Sequence, residues 1–429
     1  MVSKPLCIIN AVGLTPELLQ HAPTISSIGN ASPWKSPIPA VTCTSQATML
    51  TGLPPSDHGI VGNGWYYRDT SEIRFWQQAS SLVSGKKFYE DFETAKMFWW
   101  FNQSAPARYS ATPKPHYGCD GSKVFDILDH TDCNLVKRLG AFPFFTFWGP
   151  NAGLPCSRWI ANATAVVMDE KKPEITLSYL PHLDYDFQRY REPTVERVRE
   201  LDECVEIILQ AAERINAQVI VVSEYGLIPV NQPIHLNIHL RQEGFLKVRS
   251  GPFGDVLLPG DSDAFAVADH QVAHLYVRDQ GNINRVKHFV ESIPGVAAVV
   301  DPEELDLHHS RSGELIVLAE SNAWFTYYYW LDENSAPDFA RTVDIHRKPG
   351  YDPCELFATS RLRALARVVQ KKAGFRYRMD IVPLEPKLVG GSHGLLPSIP
   401  EKGPLIIGPG TLPDDMQEFP AYCQGLLKH

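Results

Sequence analysis

The chain of 429 residues is 44% hydrophobic and carries a formal charge of −9, enough apolar material to bury a large core as one elaborate domain or two. With no run of Lys or Arg, that charge argues against nucleic-acid binding, because affinity for a phosphate backbone depends on clustered cations. It does not exclude a small phosphorylated substrate, and no apolar stretch reaches the roughly 20 residues of a membrane span.

At the N-terminus one short apolar run is broken by Asn10 and Gly13, with no small-residue cleavage site, so no signal peptide is expected and the protein is expected to be cytoplasmic. Residues 6–10 read as the first of several short buried parallel strands, the others being 175–180, 219–223, 273–277, 314–319 and 405–408. Next comes Pro39-Ala-Val-Thr-Cys-Thr-Ser-Gln-Ala-Thr-Met-Leu-Thr-Gly-Leu-Pro-Pro-Ser-Asp-His-Gly-Ile-Val-Gly-Asn63. It places the Thr42 hydroxyl at a helix start, where free N–H groups and the positive helix end favour an anion, with Asn63 in the loop beyond. Residues 72–162, rich in Trp, Phe, Tyr and Pro, read as an insertion covering the site.

Apolar residues at Val195, Val198, Leu201, Val205, Ile208, Leu209 and Ala212 predict a helix over 194–216 leading into the strand at 219. Residues 251–379 are irregular, with a helix expected over 285–293, and read as a smaller subdomain of mixed core and cap. Helices alternating with buried strands indicate an α/β protein with a mostly parallel sheet flanked by helices. In such sheets ligands bind beyond the carboxyl ends of the strands, which selects Asn10, Asp184, Glu224 and Tyr225. The eight cysteines lack Cys-x-x-Cys spacing and are expected to be reduced and structural; only Cys43, beside Thr42, is held as a possible functional thiol.

Taken together, these residues resemble the nucleotide pyrophosphatase/phosphodiesterase branch of the alkaline phosphatase superfamily, with phosphonoacetate hydrolase a near relative. The resemblance rests on Thr42, Thr51-Gly52-Leu53, His58-Gly59-Ile60 and Asn63, 21 positions after Thr42, on Asp184 after Ser178-Tyr-Leu-Pro-His-Leu, and on His393 in Gly390-Gly-Ser-His-Gly394. It implies an alkaline-phosphatase-like core formed by 1–71, 163–250 and 380–429 with inserted cap segments, Thr42 as nucleophile, Asn63 as phosphate donor, and two metal sites. The implied metal positions are Asn10, Asp184, Gln188, Glu224, Tyr225 and His393. Four depart from the family pattern: Asn10 stands for Asp, Gln188 for His, and Glu224-Tyr225 for Asp-His.

Zinc favours imidazole and carboxylate, whereas amide oxygens suit harder ions, so one or two divalent ions are expected without a choice among Zn, Mn and Mg. Replacement imidazoles are sought at His182, His235 and His270, with His274 paired to His270 at a spacing of four. Ser56-Asp57-His58-Gly59 imitates a metal motif but follows a Pro-Pro loop and reads as structural; His346 and Arg347 read as a solvated loop or a site contact. The expected activity is metal-dependent hydrolysis of a phosphodiester or pyrophosphate through a phospho-enzyme on Thr42. Two alternatives stay open: a phosphate-ligand-binding descendant without hydrolysis, and a hydrolase of another bond, P–C or sulfate ester. The sequence leaves the oligomeric state open.

Overall fold

The structure, a computed structural model, describes residues 4–119, 122–375 and 377–428. In chain order the strands of its two larger sheets are β1 (Leu6–Ala11), β2 (Asn30–Pro33), β3 (Thr94–Met97), β4 (Tyr109–Pro113), β5 (Ile127–Asp129), β6 (Ile175–Leu180), β7 (Gln218–Val222), β8 (Ala264–Asp269), β9 (Val272–Val277), β10 (Val296–Val300), β11 (Leu315–Ala319) and β12 (Leu405–Gly408). The helices used below are α1 (Thr42–Thr51), α2 (Leu154–Lys171), α3 (His182–Tyr190), α4 (Val195–Arg214) and α5 (Arg361–Lys372).

The main sheet runs β2-β12-β7-β1-β6-β3-β4-β5. Its five central strands are parallel; β12 and β5 run against them, and β2 pairs antiparallel with β12 at the edge. β1 and β6 are buried on both faces, as expected of strands enclosed by helices. The pair α2 and α4 packs together over this sheet, and α4 starts where Thr194 caps the backbone N–H of Arg197. The second sheet, β8-β9-β11-β10, is antiparallel throughout. Among the described residues no helix is long and apolar enough to cross a membrane.

The mostly parallel α/β core agrees with expectation, but three strands read as parallel do not run that way: β9, β11 and β12 pair only antiparallel. The cause is burial. β9 and β12 are covered on both faces, so their sequences are continuous apolar runs, a pattern that carries no record of neighbour direction. The aromatic-rich stretch 72–162, expected as an insertion, supplies β3, β4 and β5 to the main sheet. Lys96 concealed this. Its side chain is fully buried, its Nζ donates to Phe101 O at 2.9 Å, and burial brings its pKa down to about 7.

The polar helix α1 lies inside the protein: Thr42, Thr44, Ser45, Gln46 and Thr48 are all buried. It stops at Gly52, whose φ of 74° and N–H bond to Thr48 O make the left-handed cap that glycine accommodates. The loop after β7 is set by close backbone packing, since a Cβ on Gly226 would lie 1.7 Å from Lys402 O. Gly226→Ala should therefore push this loop off the 400–403 segment and destabilise the fold by about 1–3 kcal/mol. A urea midpoint equal to that of the wild type would show that the loop is not held by this contact.

Candidate functional site

Three neighbouring parallel strands deliver the site. Asn10 lies near the end of β1, paired in register with Tyr179 of β6 and Val222 of β7. Asp184 follows β6 in the first turn of α3, and Glu224 and Tyr225 follow β7. All are buried, as are Thr42 at the first position of α1 and His393 after the short strand Gly391–Ser392. The His393 loop is clamped from two sides, with Ala40 N donating to Gly394 O and Gln271 N to His393 O.

Glu224 is the centre of the polar network. Its Oε1 accepts from Asn10 Nδ2 and from Gln46 Nε2, each at 2.6 Å. Burial pushes its carboxyl up to about 8, against the pull of the Gln46, Asn10 and Thr42 side chains and with a further push from Asp184. Thr42 Oγ1 lies 3.1 Å from the Tyr225 hydroxyl. Burial, Asp184 and Glu224 raise the Tyr225 phenol well above its ordinary value, so Tyr225, expected at a metal position, is a neutral hydrogen-bonding group facing Thr42.

A second network holds Asn63. Its Oδ1 accepts from the Cys43 N–H at 3.0 Å, while its Nδ2 and backbone N–H donate to the two oxygens of Asp269 at 3.0 and 2.7 Å. Asp269 ends β8, so the second sheet fixes the Asn63 loop beside α1. One Asn63 amide hydrogen stays free of this network.

Asp184 Oδ2 accepts from Gln188 Nε2 at 2.8 Å, and Gln188 Oε1 accepts from the Tyr351 hydroxyl at 2.6 Å. Both ends of the Gln188 amide, read from the sequence as a metal position, are thereby hydrogen-bonded. His393 Nδ1 is 2.8 Å from Ala40 O and donates to it, so Nε2 presents a lone pair toward Asp184 Oδ1, 3.9 Å away. Burial lowers His393 to about 3 and raises Asp184 to about 7, so the two do not form an ion pair. The His393 ring stacks on Tyr225 at 3.7 Å and on His270 at 3.6 Å, and His270 stacks on Tyr351 at 3.8 Å. Four rings thus form one column along the site.

The histidines sought as replacement ligands separate clearly. His270, in the tight turn between β8 and β9, joins the column. His182 is lowered to about 3 by burial and by Arg197 and Arg158, its backbone N–H donates to Ser157 Oγ, and both of its ring nitrogens are buried with no hydrogen-bond partner. His235 precedes the helix Leu236–Gln242 and lies 2.8 Å from Thr326 Oγ1, apart from these residues. His274 bonds Val61 O and Gly313 N, and His58 bonds Thr48 and Ile60 N while Asp57 is exposed. His346 contacts Phe75 O, and Arg347 pairs with Asp338. The sequence reading missed Gln46, Asp269 and Tyr351. Gln46 was findable one turn after Thr42 on the same helix face, and Asp269 at the end of an apolar strand; nothing local marks Tyr351.

Among the described residues no three His, Cys, Asp or Glu side chains converge to hold a metal ion, so the donors do not fit a zinc pair. They do fit a harder, oxygen-ligated ion: Asn10 Oδ1, Glu224 Oε2 and Asp184 Oδ1 are buried with no hydrogen-bond partner. Buried acceptors of this kind call for a proton or a cation.

The family model described as type I phosphodiesterase / nucleotide pyrophosphatase matches residues 6–352. Among solved structures, phosphonoacetate hydrolase from Sinorhizobium meliloti 1021 in complex with phosphonoacetate aligns at 15% identity and TM-score 0.62, covering 99% of this chain and 96% of that one. An inactive form of murine ectonucleotide pyrophosphatase / phosphodiesterase 5 in complex with AMP aligns at 13% and 0.57, covering 99% and 95%. The human protein of the same name aligns at 12% and 0.55, covering 99% and 94%. At these identities the likeness is one of fold. No curated protein sequence matches the chain.

Without a cation, Glu224 keeps its proton in the folded state up to about pH 8 but loses it near 4.5 when unfolded. Its contribution to stability is then full below the lower value and lost as pH rises through the upper one. In chelator, the thermal midpoint of the wild type should fall relative to Glu224→Gln between about pH 4.5 and about pH 8 and level off above that. A difference constant across that range would show that Glu224 does not titrate there.

Proposed function

The chain belongs to the type I phosphodiesterase / nucleotide pyrophosphatase family, and from that membership we propose that it hydrolyses a phosphate ester with Thr42 as nucleophile. The observation that carries this reading is the placement of Thr42 Oγ1 at the start of a buried helix, held by Tyr225 and flanked by the anchored Asn63. The proposed substrate is a small phosphodiester or pyrophosphate.

In the proposed mechanism Thr42 Oγ1 gives up its proton to water and attacks phosphorus. The bond from phosphorus to the leaving oxygen breaks as that oxygen takes a proton from water, and a water molecule then cleaves the Thr42–phosphoryl bond, releasing the phosphoryl group as phosphate and returning a proton to Thr42 Oγ1. The amide hydrogen of Asn63 left over from its bond to Asp269 would face an equatorial phosphoryl oxygen and stabilise its charge. Asp269 keeps Asn63 in that orientation. A neutral Tyr225 returns a hydrogen bond to Thr42 Oγ1 and fixes its rotamer. Asn10 Oδ1, Glu224 Oε2 and Thr42 would hold one divalent ion, with Asp184 Oδ1 and His393 Nε2 as a second donor pair. Such an ion, Mg²⁺ or Mn²⁺ by donor type, supplies charge that lowers the Thr42 pKa and offsets phosphoryl charge.

A second reading is favoured by the engagement of Glu224 with two amide donors and by the stacking of Tyr225 on His393. It is a phosphate-ligand-binding protein in which these contacts replace the metal centre. Metal content and turnover of a nitrophenyl phosphodiester with added Mg²⁺, Mn²⁺ or Zn²⁺ separate the two. On the first reading Thr42→Ala should lower turnover by about 10³-fold or more, and mass spectrometry of the wild type should trap phosphothreonine at position 42. Unchanged turnover in Thr42→Ala would remove the nucleophile assignment, and a metal-free, inactive protein that binds the ester would establish the second reading.

A further inference from the structure

The segment after the second sheet points its apolar residues the wrong way for a core helix. In α5, Leu362, Leu365 and Val369 fall on one helical face at spacings of three and four, yet they are 79%, 59% and 58% exposed. Phe375, just beyond, is 67% exposed. The opposite face is the one tied down. Arg363 Nη2 donates to Asp380 Oδ2 at 2.6 Å and Arg367 Nε to Asp380 Oδ1 at 2.8 Å, and these arginines hold the Asp380 carboxyl down to about 2. Arg363 and Arg367 are one turn apart, so the bridge anchors the polar face to the protein and turns the Leu and Val face toward solvent.

The charge of the segment is equally distinctive. Residues 361–380 contain seven Lys or Arg and a single acid, Asp380, in a chain whose formal charge is −9. At 12 residues, α5 is about 18 Å long and too short to cross a bilayer. A short helix with an exposed apolar face, a basic polar face and a neighbouring aromatic has the properties of one that lies in the plane of a membrane surface. The cations would match an anionic headgroup layer, which the rest of this acidic chain would avoid.

We infer that α5 and Phe375 form a peripheral docking surface for an anionic lipid membrane, with Leu362, Leu365, Val369 and Phe375 entering the interface. This does not depend on the catalytic reading.

The test is sedimentation of the full-length protein with vesicles of phosphatidylcholine alone and of phosphatidylcholine mixed with phosphatidylglycerol. The protein should pellet with the anionic vesicles, remain in solution with the neutral ones, and be released as salt rises. The double variant Leu365→Glu/Val369→Glu, at exposed positions, should lower the pelleted fraction by about ten-fold while its thermal midpoint stays that of the wild type. The proposal is overturned by absence of binding to anionic vesicles, by equal binding of the double variant, or by a soluble dimer that the double variant dissolves, which would make a second copy the occupant of the face.

Discussion

The arrangement of the site depends on how a carboxyl group is accommodated at Glu224, whose side chain is fully buried. A buried carboxylate is tolerated only with donors or a cation at its oxygens. Here Asn10, from the first strand, and Gln46, from α1, both converge on Oε1, leaving Oε2 without a partner. That single group joins β1, the loop after β7 and the helix that carries Thr42. An Asn at position 10 suits this arrangement, because an amide can donate to Glu224 where a second carboxylate would repel it.

The second sheet takes part in the site through the tip of one hairpin. Asp269 holds Asn63, His270 enters the ring column, and Gln271 N–H bonds the carbonyl of His393. Three consecutive residues therefore tie the segment 251–379 to the Asn63 loop and to the late histidine. The ring column also accounts for the low basicity of its histidines, since burial lowers both His270 and His393, and His393 lowers His270 further. A neutral His393 keeps the lone pair on Nε2 that faces Asp184.

Much of this was legible in the sequence where the determining physics is local. β1, β6 and β7 and the helix α4 follow from runs and periodicities within a few residues of one another, and the start of α1 at Thr42 from its hydroxyl and the polar turn after it. The rule that polar residues beyond strand ends line the ligand site selected Asn10, Asp184, Glu224 and Tyr225, and the structure brings these four together with Thr42 and His393. Other features needed partners distant in the chain. Lys96 reads as polar but is a buried strand residue, because Phe101 O receives its ammonium group. His182 and His235 look as eligible as His270, and what sets His270 against His393 is a hairpin whose position depends on sheet packing.

What the sequence by itself determined was the α/β class, the order of the main elements, the Thr42 to Asn63 segment and the polar residues that follow the buried strands, all properties of side-chain type and short spacing. Tertiary structure alone decided the direction of β9, β11 and β12, the commitment of both ends of Gln188, the neutrality of Tyr225, and the anchoring of Asn63 by Asp269. The reason is that strand direction, protonation and hydrogen-bond choice are set by groups brought within about 3 Å by the fold, and neither spacing nor periodicity along the chain records those encounters.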